Sequence, residues 1–144
     1  MNRSSAATDT RTPGKAGNIA LWVLQVALAA LFVANFGPGK LLGSDQAVQT
    51  FADIGAGQWL RYLTGSLEVA GGIGLLIPRL NGLAALGLVG VMSGAVLTEI
   101  VFLDGDVLVP LILLIAVATV AWFRRADMFA LIRRLRAGRS PVRS

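Results

Sequence analysis

Neither histidine nor cysteine occurs anywhere in the 144 residues. Their absence removes the His and Cys ligands of zinc, iron–sulfur clusters and haem, and with them disulfide exchange and Ser-His or Cys-His nucleophilic catalysis. No metal is expected, and no cofactor held covalently or through those side chains; any redox centre has to belong to a partner or to a diffusible molecule. Acidic residues are also few, eight Asp and Glu against thirteen Lys and Arg, which leaves a net charge of +5. A basic balance can suit nucleic acid, but here the basic residues crowd into the two tails without interleaved aromatics, so no nucleic-acid partner is expected. Polar residues as a whole are too scarce for a water-soluble domain: 55% of the chain is hydrophobic and its mean hydropathy is +0.69. The lipid bilayer is the expected solvent and first partner.

What the chain has in abundance is long apolar runs. Four of them, about 18–37, 59–77, 80–103 and 107–123, hold roughly 17–24 residues each, enough at about 1.5 Å rise per residue to cross a hydrocarbon core of about 30 Å. Helices are the expected form, because only a helix satisfies its own backbone polar groups in lipid. The first run is longer than the apolar core of a signal peptide and ends in Ala34-Asn35-Phe36-Gly37-Pro38 instead of a small-residue cleavage site, so it is expected to be retained. Pro78-Arg79 marks a tight turn between the second and third runs, and Asp104-Gly105-Asp106 a turn before the fourth.

Charge orients these spans. Arg3, Arg11 and Lys15 precede the first, Arg79 lies in the second loop, and Arg124, Arg125, Arg133, Arg134, Arg136, Arg139 and Arg143 follow the fourth. The first loop has only Lys40 against Asp45 and Asp53, and the third only Asp104 and Asp106. The positive-inside rule then predicts an all-α, multi-pass four-helix bundle in the cell inner membrane with both termini cytoplasmic. Residues 1–17 read as a disordered tail and 124–144 as a basic cytoplasmic tail flanking a single domain over 18–123. Little chain is left for a soluble catalytic module, so an autonomous enzyme is not expected. In the first loop Ser44-Asp45 can cap a short helix whose Val48, Phe51 and Ile54 share a face, with Gly55 and Gly57 ending it. The stretch from Arg124 to Arg139 is amphipathic; it suits either a surface for anionic lipid or a partner, or a stop-transfer anchor.

Five residues are candidates for binding. Glu68 falls nine residues inside the second run, about 14 Å deep and close to the midplane, where a carboxylate marks a polar pathway or a packing lock. It can relay a proton or hold a quinone carbonyl, or it can make a structural hydrogen bond to Gln25 or Asn35 of the first helix. Arg61 and Glu99 lie about 3 Å and 6 Å inside the same boundary on antiparallel helices, which predicts an ion pair, with snorkelling of Arg61 to lipid phosphate as the alternative. Arg61 and Glu68, seven apart, share a face and outline a polar track. Small residues Ser66, Ala70 and Gly74, and Gly87, Gly90 and Gly94, are expected to pack helices two and three within the bundle in preference to pairing two copies. Gly71-Gly72-Ile73-Gly74 lacks the strand, turn and helix of a phosphate loop.

Gly37-Pro38-Gly39-Lys40 after the first run, Gly65-Ser66-Leu67-Glu68-Val69-Ala70-Gly71-Gly72-Ile73-Gly74-Leu75-Leu76 in the second and Met92 among small residues in the third together form a pattern. It resembles the DoxX and DoxX-like family of small four-helix bacterial membrane proteins. The resemblance covers about 18–123 and implies a membrane subunit supporting thiol, sulfur or quinone redox chemistry, since relatives include small subunits of an archaeal thiosulfate:quinone oxidoreductase. By the same resemblance Lys40 serves a polar head group at the outer interface and Glu68 a buried polar contact. The expected function is a non-catalytic subunit or scaffold with a membrane-associated oxidoreductase partner and a quinone among Gln25, Glu68 and Glu99. A transporter or binder of a small lipophilic or polar solute is the alternative, motivated by Arg61, Glu68 and Glu99.

Overall fold

The computed structural model describes residues 13–103 and 105–138. The expected tail over 1–12, Asp104, and residues 139–144 with Arg139 and Arg143 lie outside them. All regular structure among the described residues is helical: α1 (Lys15–Leu41), α2 (Asp45–Asp53), α3 (Gln58–Leu75), α4 (Asn81–Leu103), α5 (Leu108–Phe123) and α6 (Arg125–Ala137). Two of these, α1 and α4, are long and apolar enough to cross a membrane, and α5 with α6 adds a third if that pair, bent by 59°, counts as one span. Arg61 and Glu68 interrupt the apolar character of α3, and α5 spans only 16 residues.

The first helix does not stop at Gly37-Pro38. It runs on to Leu41, because a π-helical turn over Phe32–Phe36 shifts the hydrogen-bond register one residue before the proline: the Gly37 N–H donates to the Phe32 carbonyl, and Pro38, which has no N–H, enters at the start of the next helical stretch. The extension carries Lys40 one turn along the same helix. Gly43 then reverses the chain at φ 77°, a conformation open to glycine at little strain. Ser44 caps α2 by accepting the Ala47 N–H at 3.4 Å, with Asp45 in the first turn as the helix dipole favours. Of the expected apolar face of α2, Phe51 is buried, Ile54 half-buried and Val48 exposed.

The long helices contact one another in chain order, α1 against α3, α3 against α4, α4 against α5, with α5 returning to α1. Each contributes a stripe at helical spacing. Arg61, Gly65, Glu68, Gly72 and Leu75 form the buried stripe of α3, and Asn81, Ala85, Leu88 and Met92 that of α4. Leu28, Phe32, Leu75, Ala85, Leu88, Met92, Leu113, Val117 and Val120 form one apolar core. Outside it the pattern is inverted with respect to a soluble protein: Ile19, Val23, Leu83, Ile112, Ile115 and Trp122 face outward, while Gln25, Arg61, Glu68 and Asn81 are buried. Such a surface suits a hydrocarbon solvent.

Helix contact is closest where glycine lies between helices. A β-carbon on Gly72 would sit 2.8 Å from Val33 and 3.1 Å from Phe32, and one on Gly65 would sit 3.0 Å from the Lys40 β-carbon; Gly71 and Gly74 meet Leu88 and Ala84 in the same way. The expected row at Ser66, Ala70 and Gly74 is corrected by this arrangement, since Ser66 and Ala70 are exposed and only Gly74 packs. Gly87, Gly90 and Gly94 are corrected too: a β-carbon at any of the three would meet nothing within 4 Å, so none of them makes a close helix contact.

Candidate functional site

At the end of the molecule bearing α2, close approach of Gly37 to Gly65 draws the last turn of α1 onto α3. Lys40 Nζ is thereby carried to 2.8 Å from both carboxylate oxygens of Glu68. The pair is asymmetric: the Glu68 side chain is 1% exposed and that of Lys40 23%. The ammonium also stands 5.7 Å from the centre of the Phe36 ring. Two of its three N–H donors are engaged by Glu68, and the third is available on the partly open side.

Arg61 continues the network outward. Its Nη1 donates to the Lys40 carbonyl and its Nε to Gln58 Oε1 at 2.6 Å, while Gln58 Nε2 reaches the Val48 carbonyl of α2 at 3.3 Å. The backbone at Gly43 lies beside the guanidinium, so close that a β-carbon there would sit 3.4 Å from Nη1. Arg61 is 4% exposed, its guanidinium over the Tyr62 ring at 4.2 Å. Glu68, Lys40, Arg61 and Gln58 thus form one connected polar chain that ties α1, α2 and α3 together.

The sequence expectations fare unevenly here. Glu68 bonds to neither Gln25 nor Asn35; its partner is Lys40, and Asn35 is exposed. The expected Arg61–Glu99 ion pair is replaced by the contacts of Arg61 with Gln58 and Lys40, while the Glu99 carboxylate packs against Gly105. Gln25 stands near the opposite end, donating at 2.7 Å to the Leu75 carbonyl, one of the last in α3 and without a helical partner, and accepting from Arg124 Nε at 3.0 Å. Leu75 is seven residues along α3 from Glu68, about 10 Å. Gln25, Glu68 and Glu99 therefore do not converge on one pocket. Reading Pro38 as a helix end is what hid the Lys40–Glu68 contact; the spacing from Phe36 to Lys40, one helical turn, carried the signal.

The family model for the DoxX-like family matches residues 23–122. The chain belongs to the DoxX-like family. The matched span contains Lys40, Arg61, Glu68, Gln25 and Glu99, and it ends just before Arg124. Neither the curated proteins nor the solved structures yield a match. A DoxX-like protein with apolar helices of this kind is a membrane protein, and Lys40, Arg61 and Glu68 are the charged groups of its polar chain.

Proposed function

We propose that this DoxX-like protein is a non-catalytic subunit of a membrane redox system and that it holds the polar head of a lipophilic molecule, a quinone by class, against Lys40. The observation that carries this reading is the Lys40–Glu68 pair. An ammonium fixed at 2.8 Å from a fully buried carboxylate, yet 23% exposed, offers a charged donor for a quinone carbonyl at the edge of an apolar surface. Phe36 beside it adds an aromatic ring for a flat head group. The polar chain stops at Glu68, and Gln25 bonds separately, to the Leu75 carbonyl and to Arg124, which favours binding over conduction of a solute.

On this reading α1, α3, α4 and α5 are the four spans of an inner-membrane bundle with both termini cytoplasmic. Support comes from the disposition of charge: Lys40 and Arg61 are turned into the polar chain, leaving Asp45, Asp53 and Asp106 as the acidic groups of the α2 end, while Arg79, Arg125, Arg133, Arg134 and Arg136 crowd the other. Reporter fusions at the two termini test the orientation; opposite sides would refute it.

Mass spectrometry of lipids and cofactors extracted from the protein purified in mild detergent tests the binding. A quinone should accompany the parent and be depleted at least tenfold in Lys40→Met. Equal quinone in both, or none in a folded parent, would count against the site. Recovery of an oxidoreductase with the parent, under the same conditions, tests the subunit role.

A further inference from the structure

The last helix turns out of line with the one before it. A straight continuation of α5 would carry the 13 residues of α6 about 20 Å beyond its end. Instead α6 is bent by 59° from α5, with Arg124 alone between them. One side of α6 rests on α4: the Met128 β-carbon crowds Gly82, and Met128 and Leu131 are half-buried. The neighbouring side is exposed. Arg125, Phe129, Ile132, Arg133 and Arg136 recur at helical spacing, which puts all five on one face, and each of them is exposed. Leu135, 64% exposed, borders that face on the side of α4.

The composition of this face selects its partner. Large apolar side chains set among three guanidiniums suit neither water nor the hydrocarbon interior, but they fit the boundary between the two, where Phe129 and Ile132 enter the acyl region and the arginines reach outward to phosphate. The one acid of α6, Asp127, is paired with Arg124 at 3.8 Å, so the face keeps its positive charge. The side of α6 away from both α4 and this face carries Ala126, Ala130, Arg134 and Ala137, small or charged residues that suit water. Position agrees with composition. Trp122, in the last turn of α5 and 65% exposed, has the Arg125 guanidinium over its ring at 4.3 Å. Exposed tryptophans of membrane proteins concentrate at the level of the head groups. Joined to α5 through a single residue, α6 is held at that level, which favours lipid over a soluble acidic protein as the occupant.

We propose that the exposed face of α6 is a binding surface for anionic phospholipid, lying in the head-group layer with Arg125, Arg133 and Arg136 on lipid phosphates. The inference rests on α5 crossing the membrane, as in the reading above, and is independent of what Lys40 holds. Its consequence is a shell of lipid enriched in negative charge around the bend between α5 and α6.

The full chain carrying Trp22→Phe and Trp59→Phe, which leaves Trp122 as its one tryptophan, is reconstituted into phosphatidylcholine vesicles containing equal fractions of phosphatidylglycerol or phosphatidylcholine with brominated acyl chains. Quenching of Trp122 then reports which lipid stands beside the bend. The expected result is a preference for phosphatidylglycerol of about fivefold, the attraction of one arginine to an anionic surface, or more. The preference should vanish when Arg125, Arg133 and Arg136 are all replaced by Gln, with quenching by brominated phosphatidylcholine unchanged as the check that the fold is kept. It should persist in Arg134→Gln, on the other side of the helix. Equal quenching of the parent by the two lipids, as expected if α6 instead seats on a protein, overturns the proposal and leaves α5 in the bilayer. A preference that survives the triple replacement, or that Arg134→Gln abolishes equally, overturns it too. Quenching by neither lipid would take Trp122 out of the bilayer and overturn the reading of α5 as well.

Discussion

Lys40 reaches Glu68 from the far side of a proline. The two residues are brought to 2.8 Å by a helix that continues past Pro38 and by glycines, Gly37 and Gly65, that let the two backbones touch. In a hydrocarbon solvent the apolar surfaces of helices gain little by meeting, so close packing and a paired charge have to hold this end together. The network then ends in a carboxylate whose side chain is 1% exposed.

That asymmetry in exposure predicts an asymmetry in the variants. Lys40→Met strands a buried carboxylate and should lower stability by about 3–5 kcal/mol, in the range seen when one partner of a buried pair is removed. Glu68→Gln should cost less, about 1–2 kcal/mol, because Lys40 is already partly exposed and can turn outward. The double variant Lys40→Met with Glu68→Leu should recover most of the loss. Thermal or denaturant unfolding in detergent gives the order directly, and a Lys40→Met protein as stable as the parent would mean that the pair is not formed.

The glycines divide into two sets with opposite expectations. Gly72→Ala pushes a β-carbon to 2.8 Å from Val33 and should destabilise the contact of α1 with α3 by about 1–3 kcal/mol. Gly90→Ala meets nothing within 4 Å and should be neutral or stabilising by up to about 1 kcal/mol, through lower backbone entropy in the unfolded chain. The same unfolding assay compares the two, and equal effects would contradict the packing described.

This contrast also marks how far the residues could be read in one dimension. Helix boundaries other than the end of α1 were legible because apolar runs and turn residues are local: Leu80 and Leu103 bracket the observed Asn81–Leu103, and Ser44 caps α2 as expected. Glu68 and Lys40 were legible as exceptional residues, since a charge in or beside an apolar run stands out. Their pairing was not, because it depends on a π-helical turn that redirects the hydrogen-bond register at Phe32–Phe36. Gly90 and Gly94 have the spacing of a packing motif, yet spacing fixes which residues share a face without saying what that face meets. Asn81 carried no local signal, and Arg124 read only as the first residue of the basic tail; burial made both notable.

Arg61 ties the polar chain to the loop, and its fork matters as much as its charge. Lysine at this position keeps the cation but cannot donate simultaneously to Gln58 Oε1 and the Lys40 carbonyl in the same plane. Arg61→Lys should therefore lower stability by about 1–3 kcal/mol and increase hydrogen exchange in α2 and at Gly43, while the core amides around Leu88 stay protected. Unchanged exchange in α2 would show that the loop is held without Arg61.

Gly82 offers the sharpest test of how α6 is attached. The Arg124 carbonyl and the Met128 side chain both crowd it, the latter with its β-carbon 3.1 Å from where an alanine β-carbon would lie. Neither neighbour can yield easily: the carbonyl belongs to the bend, and it already accepts the backbone N–H groups of Asp127 and Met128. Gly82→Ala should therefore lift α6 away from α4 instead of disturbing the core, at a cost of about 1–3 kcal/mol. The expected signature is faster hydrogen exchange and earlier proteolysis within Arg125–Ala137, with Leu88, Met92 and Val117 unaffected. If α6 kept its protection in the alanine variant, the docking of the bend onto Gly82 would have to be abandoned, since the added carbon would lie 2.5 Å from the Arg124 carbonyl oxygen.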